Sequence, residues 1–135
     1  MRCAIMQPTY LPWAGYFNLI SQVDKFVFLD DVQFEKRSWQ SRNRVILNKQ
    51  ITWLTVPVSQ VSQQQIIRTV ELAEEPHWRN KHVRVLEHAY AKHPYKHEVF
   101  NIAQLIADTA TPYLVDLNIV LIKAIAERLG LSPKF

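Results

Sequence analysis

Glycine is scarce in this chain: Gly15 and Gly130 are the only two in 135 residues. A G-x-G-x-x-G turn and a P-loop each need several residues without Cβ, so that backbone N–H groups can close on phosphate. Both motifs are therefore excluded, and with them the standard dinucleotide-binding oxidoreductase and P-loop kinase classes. A G-x-S-x-G elbow and a C-x-x-C pair are missing as well. The single cysteine, Cys3, cannot staple the fold and reads as a buried strand residue in a reducing compartment, the cytoplasm by default. No run of about 18 apolar residues occurs, which leaves no candidate membrane span. Pro8, Pro12 and Asp24 interrupt the one early apolar stretch and argue against a signal peptide.

The length suits a single domain over 1–135, because a chain of this size buries roughly two thirds of its unfolded surface. Positive charge is unevenly placed. The formal net charge is +4, and between Val32 and Gln50 the cations Lys36, Arg37, Arg42, Arg44 and Lys49 face one acid, Glu35. Five minus one is again +4, so one segment carries the whole excess. Such a concentration points to an anionic partner or else to a solvated hairpin with its charges outward.

Periodicity divides the chain into a βαβ core plus hairpin over 1–72 and a mainly helical part over 73–135. "RCAIM" and "KFVFLDD" are continuous apolar runs of the kind that buried parallel strands show, and "GYFNLISQ" between them is helical. "RNRVILNKQITWLTVPV" reads as a hairpin turning at Asn48-Lys49-Gln50. "SQVSQQQ" is polar linker and "IIRTVEL" a further strand candidate. Helices are predicted after Pro76 (Trp78, His82, Val85, Leu86, Ala89), around Val99, Ile102, Leu105 and Ile106, and after Pro112, the last ending at Gly130 as its C-cap. "LGLSP" is a usual lead-in to another strand, yet only two residues follow, so a trimmed relative of something longer is expected. The fold expected is α/β, a Rossmann-like βαβ core with a β-hairpin arm and a helical C-terminal region.

Several groups could carry chemistry. In the turn "MQPTYLPWAGY", Gly15 sits where nucleotidylyl transferases of the HIGH type bring a phosphate to a helix N-terminus. Trp13 and Tyr16, however, stand where those enzymes have histidines. Tyr10, Trp13 and Tyr16 can bind a base or sugar, or can simply cap the sheet. Asp30 and Asp31 follow the second strand, beyond its carboxyl end, where α/β sheets place ligands. They can bind a hydroxyl, act as general base, hold Mg²⁺, or merely cap a helix. Arg42 and Arg44 alternate with aromatics, a pattern suited to phosphate and more weakly to single-stranded nucleic acid, for which five cations are few. No metal site emerges from the five histidines, since only His93 and His97 are spaced i, i+4 and Pro94 lies between them. His82 and Asn118 are polar groups on apolar helix faces. Each either pairs inside the core or lines a cavity.

The stretches "MQPTYLPWAGYFNLI", "VDKFVFLDDVQFEKRSWQSRNRV", "WLTVPV" and "HWRNKHVRVLEHAYAKHPY", with the helix around Leu117-Asn118, resemble the WbqC-like family over essentially the whole chain. The resemblance implies a bacterial cytoplasmic protein of O-antigen, lipopolysaccharide or other surface-polysaccharide biosynthesis. It also implies a transferase modifying a nucleotide-linked (amino) sugar by acyl, aminoacyl or nucleotidyl transfer. Carried over by position, the motif residues are Gln7, Pro8, Tyr10, Gly15, Tyr16, Asp30, Asp31, Arg42, Asn43, Arg44, Lys81 and His82. Family members are commonly longer, continuing with Ser- and Gly-containing segments absent here. In this reading Asp30, Asp31 and His82 are catalytic. The ligand-binding set is Gln7, Tyr10, Trp13, Gly15, Tyr16, Arg42, Asn43, Arg44, Lys81 and Asn118. The corner, the acid pair and the basic arm are expected to converge at one edge of the sheet. The alternatives are a non-catalytic nucleotide- or nucleotide-sugar-binding module and a nucleic-acid-binding protein using the basic hairpin.

Overall fold

The structure is a computed structural model describing residues 1–135. Its first unit is βαβ: β1 (Cys3–Met6), α1 (Ala14–Ser21) and β2 (Lys25–Phe28). The strands pair in parallel from Cys3 opposite Lys25 to Met6 opposite Phe28, and α1 is the crossover that parallel pairing of consecutive strands requires. On the other edge of β2 the Phe26 N–H donates to the Lys134 carbonyl at 2.8 Å, and the Lys134 N–H donates to that of Asp24 at 2.9 Å. The "LGLSP" segment thus does lead into strand pairing.

The sheet is covered on one face only. Ala4 and Phe26 turn inward against Tyr16, Phe17 and Ile20 of α1, whereas Cys3, Ile5 and Val27 point to solvent. The expectation of a buried cysteine is therefore corrected. A four-residue strand has alternating faces, and no helix lies over the outer one.

β3 (Arg42–Leu47) and β4 (Gln50–Thr55) form an antiparallel hairpin, with Leu47 opposite Gln50 and Arg42 opposite Thr55. The loop is two residues long. Asn48 and Lys49 both have positive φ, 51° and 63°, the type I′ geometry whose twist matches that of the strands. Leu54 and Val45 turn to the core. "IIRTVEL" departs from the strand expectation: Ile67–Thr69 is a 3₁₀ turn, flanked by the single bridges Gln33–Ile66, Glu71–Tyr113 and Val58–Leu72. Ile67 and Val70 are both fully buried. A spacing of three buries both in one helical turn, whereas alternation would send one outward.

Helices α2 (Trp78–Ala89), α3 (Lys96–Asp108) and α4 (Leu114–Arg128) follow. Each buries one stripe: Trp78, His82 and Leu86; Ile102, Ala103 and Ile106; Leu114, Leu117, Leu121 and Ile122. Gly130 ends α4 at φ 74°. Its N–H donates to the Glu127 carbonyl at 3.0 Å and that of Leu131 to the Ala126 carbonyl at 2.9 Å, the paired bonds of a Schellman cap.

Two cores meet along α4. Leu114, Leu117 and Leu121 join the larger one, around Tyr10, Leu54, Ile67, Leu86 and Ile106, while Ile122 and Ala126 join the smaller one beneath the parallel strands. The larger core draws on both the βαβ-plus-hairpin part and the helical part. The fold is thus mixed α/β, with four helices and two small sheets. A parallel sheet of two strands is far smaller than the doubly wound sheet of a Rossmann domain.

Candidate functional site

The turn between β1 and α1 is held by hydrogen bonds, most of them from the segment before and inside β3. The Tyr10 N–H donates to the Trp39 carbonyl at 3.0 Å. The Asn43 amide donates to the Leu11 carbonyl, whose residue sits at φ 47°, a conformation a leucine adopts only under constraint. Gln40 Nε2 donates to Gln7 Oε1 at 2.8 Å, and the Asn118 amide donates to the Gln40 carbonyl at 2.9 Å. With so little glycine, side-chain amides and prolines fix this corner.

Several residues expected to touch ligand are thereby committed to the interior. Tyr10 is fully buried, and its hydroxyl lies 2.7 Å from His82 Nδ1. His82 Nε2 lies 3.1 Å from the Thr55 carbonyl, which can only accept. Nε2 therefore carries the proton, and Nδ1 accepts from Tyr10. Burial pulls the His82 pKa down to about 4, against the opposing hydrogen bond to Thr55 and helped by the charge of Lys81. A neutral imidazole with both nitrogens engaged is a core fastener. Tyr16 is buried too; its hydroxyl donates to the Gln7 carbonyl at 2.9 Å, and desolvation raises its pKa. Asn118 is fully buried, with Oδ1 left without a partner.

Gly15 has a packing role. A Cβ there would lie 2.0 Å from the Trp13 ring, so the missing side chain makes room for the indole against the start of α1. Trp13 itself is 73% exposed.

Asp30 and Asp31 lie in the loop after β2, where the Asp30 carbonyl accepts the Arg68 N–H at 3.0 Å. Asp31 is exposed and Asp30 half-buried. No group of three or more His, Cys, Asp or Glu is placed to hold a metal ion, so the pair has no third such ligand.

The exposed face of the hairpin is the most organised surface. Arg44 is paired with Trp53, and Trp53 stacks on Trp39 with centroids 5.8 Å apart and planes 27° from parallel. The Arg42 guanidinium lies 4.3 Å from the Trp53 ring. That of Arg44 lies 5.7 Å from Trp53 and 5.9 Å from Trp39, within cation–π range. Trp39 and Trp53 are 51% and 39% exposed, although burial would be the usual fate of two such rings. Trp53 also borders a depression of about 470 Å³, lined as well by Thr55, Glu75, His77, Lys81 and the largely buried His82, so His82 both pairs inside the core and lines a cavity. Arg42 and Arg44 thus lie against the Trp53 indole, and Lys81 lines a depression that Trp53 borders. Trp13, Asn43 and Arg44 line a second hollow. Asp30 and Asp31 border neither, so the corner and the basic strand share a hollow without the acid pair.

Trp53 is absent from the sequence-derived site. Its signal lies in the turn: a two-residue loop at Asn48-Lys49 makes paired positions sum to 97, which sets Trp53 opposite Arg44.

The chain is thus a small mixed α/β domain with an exposed arginine–indole face. The family model described as the WbqC-like protein family matches residues 7–135, and the chain belongs to that family. It is 36% identical over 135 residues to a Mycobacterium tuberculosis protein described as "Uncharacterized protein Rv1507c", covering 98% of this chain and 58% of that relative. The chain thus spans little more than half the length of the curated relative it matches. No solved structure matches it.

Proposed function

We propose that this chain binds a nucleotide-linked sugar through the outer face of its hairpin, as the ligand-holding part of a transferase that modifies an (amino) sugar for surface-polysaccharide biosynthesis. The observation that carries the reading is the Trp39–Trp53 stack flanked by Arg42 and Arg44. Aromatic faces at the surface suit a nucleobase, and guanidinium forks suit the diphosphate. Lys81, across the depression that Trp53 borders, adds a further cation beside the phosphates. Membership of the WbqC-like family supports the sugar-nucleotide context.

Binding is better supported than catalysis by these residues. His82 is neutral and lines the depression with both ring nitrogens engaged, which leaves Asp30 and Asp31, outside both hollows, as the candidates for a general base.

Titrating nucleoside diphosphate sugars, free nucleotides and single-stranded RNA against the chain tests the proposal. Saturable nucleotide-sugar binding is expected. Trp53→Ala should weaken it by the roughly 1–3 kcal/mol of a stacked base. Arg42→Ala should weaken it about tenfold, the loss of one charge-assisted contact. RNA binding with a steep salt slope and no nucleotide-sugar binding would move the assignment to nucleic acid. Unchanged affinity in both variants would remove the hairpin face from the site.

A further inference from the structure

The second hollow has a chemistry that the nucleotide reading does not use. It measures about 540 Å³, and twelve of its 17 lining residues are apolar. Phe17, Leu54, Leu86 and Ile102 are its most buried lining residues; they come from α1, β4, α2 and α3. Four separate elements thus meet there without filling the space between them, although protein interiors are ordinarily packed to crystal-like density. A concave, mostly apolar volume of this size with a few polar groups at its edge is the usual form of a small-molecule site.

The polar groups select the ligand's charge. Arg128 and Glu98 line the hollow and form the chain's one salt bridge, neutralising each other. Arg44, the remaining charged lining residue, has no carboxylate partner and rests on the indoles of Trp39 and Trp53. Trp13, mostly exposed, stands at the edge where Gly15 gives its ring room.

We infer that this hollow binds an anion carrying an aliphatic chain, with the chain among Phe17, Leu54, Leu86 and Ile102 and the anionic head on Arg44. It is a second ligand site beside the nucleotide site proposed above, and the two share Arg44. An apolar chain is favoured over a sugar because the lining offers few free polar side chains: Tyr90 carries its one hydroxyl, and the Asn43 side chain is already bonded to the Leu11 carbonyl and the Arg44 N–H.

The test is a titration of the full chain with hexanoate, octanoate and decanoate and with the matching alcohols, followed by tryptophan fluorescence or calorimetry. Each added methylene should tighten binding about fourfold until the hollow is full, the equivalent of about 0.8 kcal/mol per buried CH₂. Octanoate should bind about tenfold tighter than octanol. Arg44→Gln should bring the two together, and Arg44→Lys should keep part of the difference. Val99→Trp, which fills the hollow from α3, should abolish binding of both. Ala14→Phe, at an exposed position on its edge, serves the same purpose should the first variant not fold. A panel of nucleoside diphosphate sugars is titrated against the same filled variants and should bind as to the native chain, so failure of either site is recognised separately. Affinity that does not depend on chain length, or tight binding to the filled variants, would overturn the inference.

Discussion

Lowering the pH from 7 to 5 should weaken the fold through one side chain, His82. Its imidazole accepts from Tyr10 and donates to the Thr55 carbonyl, and burial depresses its pKa from 6.5 to about 4. The unfolded chain takes up a proton as the pH falls through 6.5, while the native state resists until about 4. The stabilisation is thus complete above pH 6.5 and is lost on acidification across that window. That difference corresponds to about 3 kcal/mol in total. Of this, about 2 kcal/mol is lost between pH 7 and pH 5, a large share of the 5–15 kcal/mol typical of a domain. Urea denaturation at pH 7 and pH 5 measures it, with His82→Gln as the reference. Glutamine offers one acceptor and one donor but does not titrate. The native chain should lose about 2 kcal/mol more than the variant between the two pH values. Parallel losses in both proteins would show that His82 charges freely in the native state and would refute the assigned tautomer and burial.

Three smaller tests address the corner, the turn and the cap. Asn43→Ala removes the amide that holds the Leu11 carbonyl and should cost about 1–2 kcal/mol of stability, read from the urea midpoint; no loss would mean the corner holds itself. Lys49→Gly replaces a side chain at φ 63° and should raise stability by about 0.5–1 kcal/mol, because Asn-Gly is the preferred type I′ pair. Gly130→Ala has the opposite sign: at φ 74° it should lower the melting temperature, by about 4 °C for each 1 kcal/mol of left-handed strain.

The local pattern of the sequence specified a good deal. Apolar runs placed both parallel strands, Pro94 separated α2 from α3, and Gly130 marked the end of α4, because each signal acts on its own few residues. The hairpin was legible as a hairpin, but its faces were not. A turn of three residues would have set Leu54 opposite Arg44, and a one-residue slip exchanges the core and solvent faces of a strand. Only the two-residue turn puts Trp53 beside Arg42 and Arg44. The strand expected at "IIRTVEL" failed for a related reason, since burial of Ile67 and Val70 against α4 outweighed β-propensity.

The site divided along the same line. The sequence by itself determined which chemistry is available: a glycine-poor corner, an acid pair, a basic strand, and polar groups on apolar helix faces. Tertiary structure decided which of those groups remain free. Tyr10, Tyr16, His82 and Asn118 went to the interior, where Tyr16 and Asn118 donate to the Gln7 and Gln40 carbonyls and Tyr10 pairs with His82. Arg42, Arg44, Lys81 and the two indoles stayed outside. Long-range packing makes that choice, since the partners that enclose or expose a side chain, such as Tyr10 and His82, come from segments far apart in the chain.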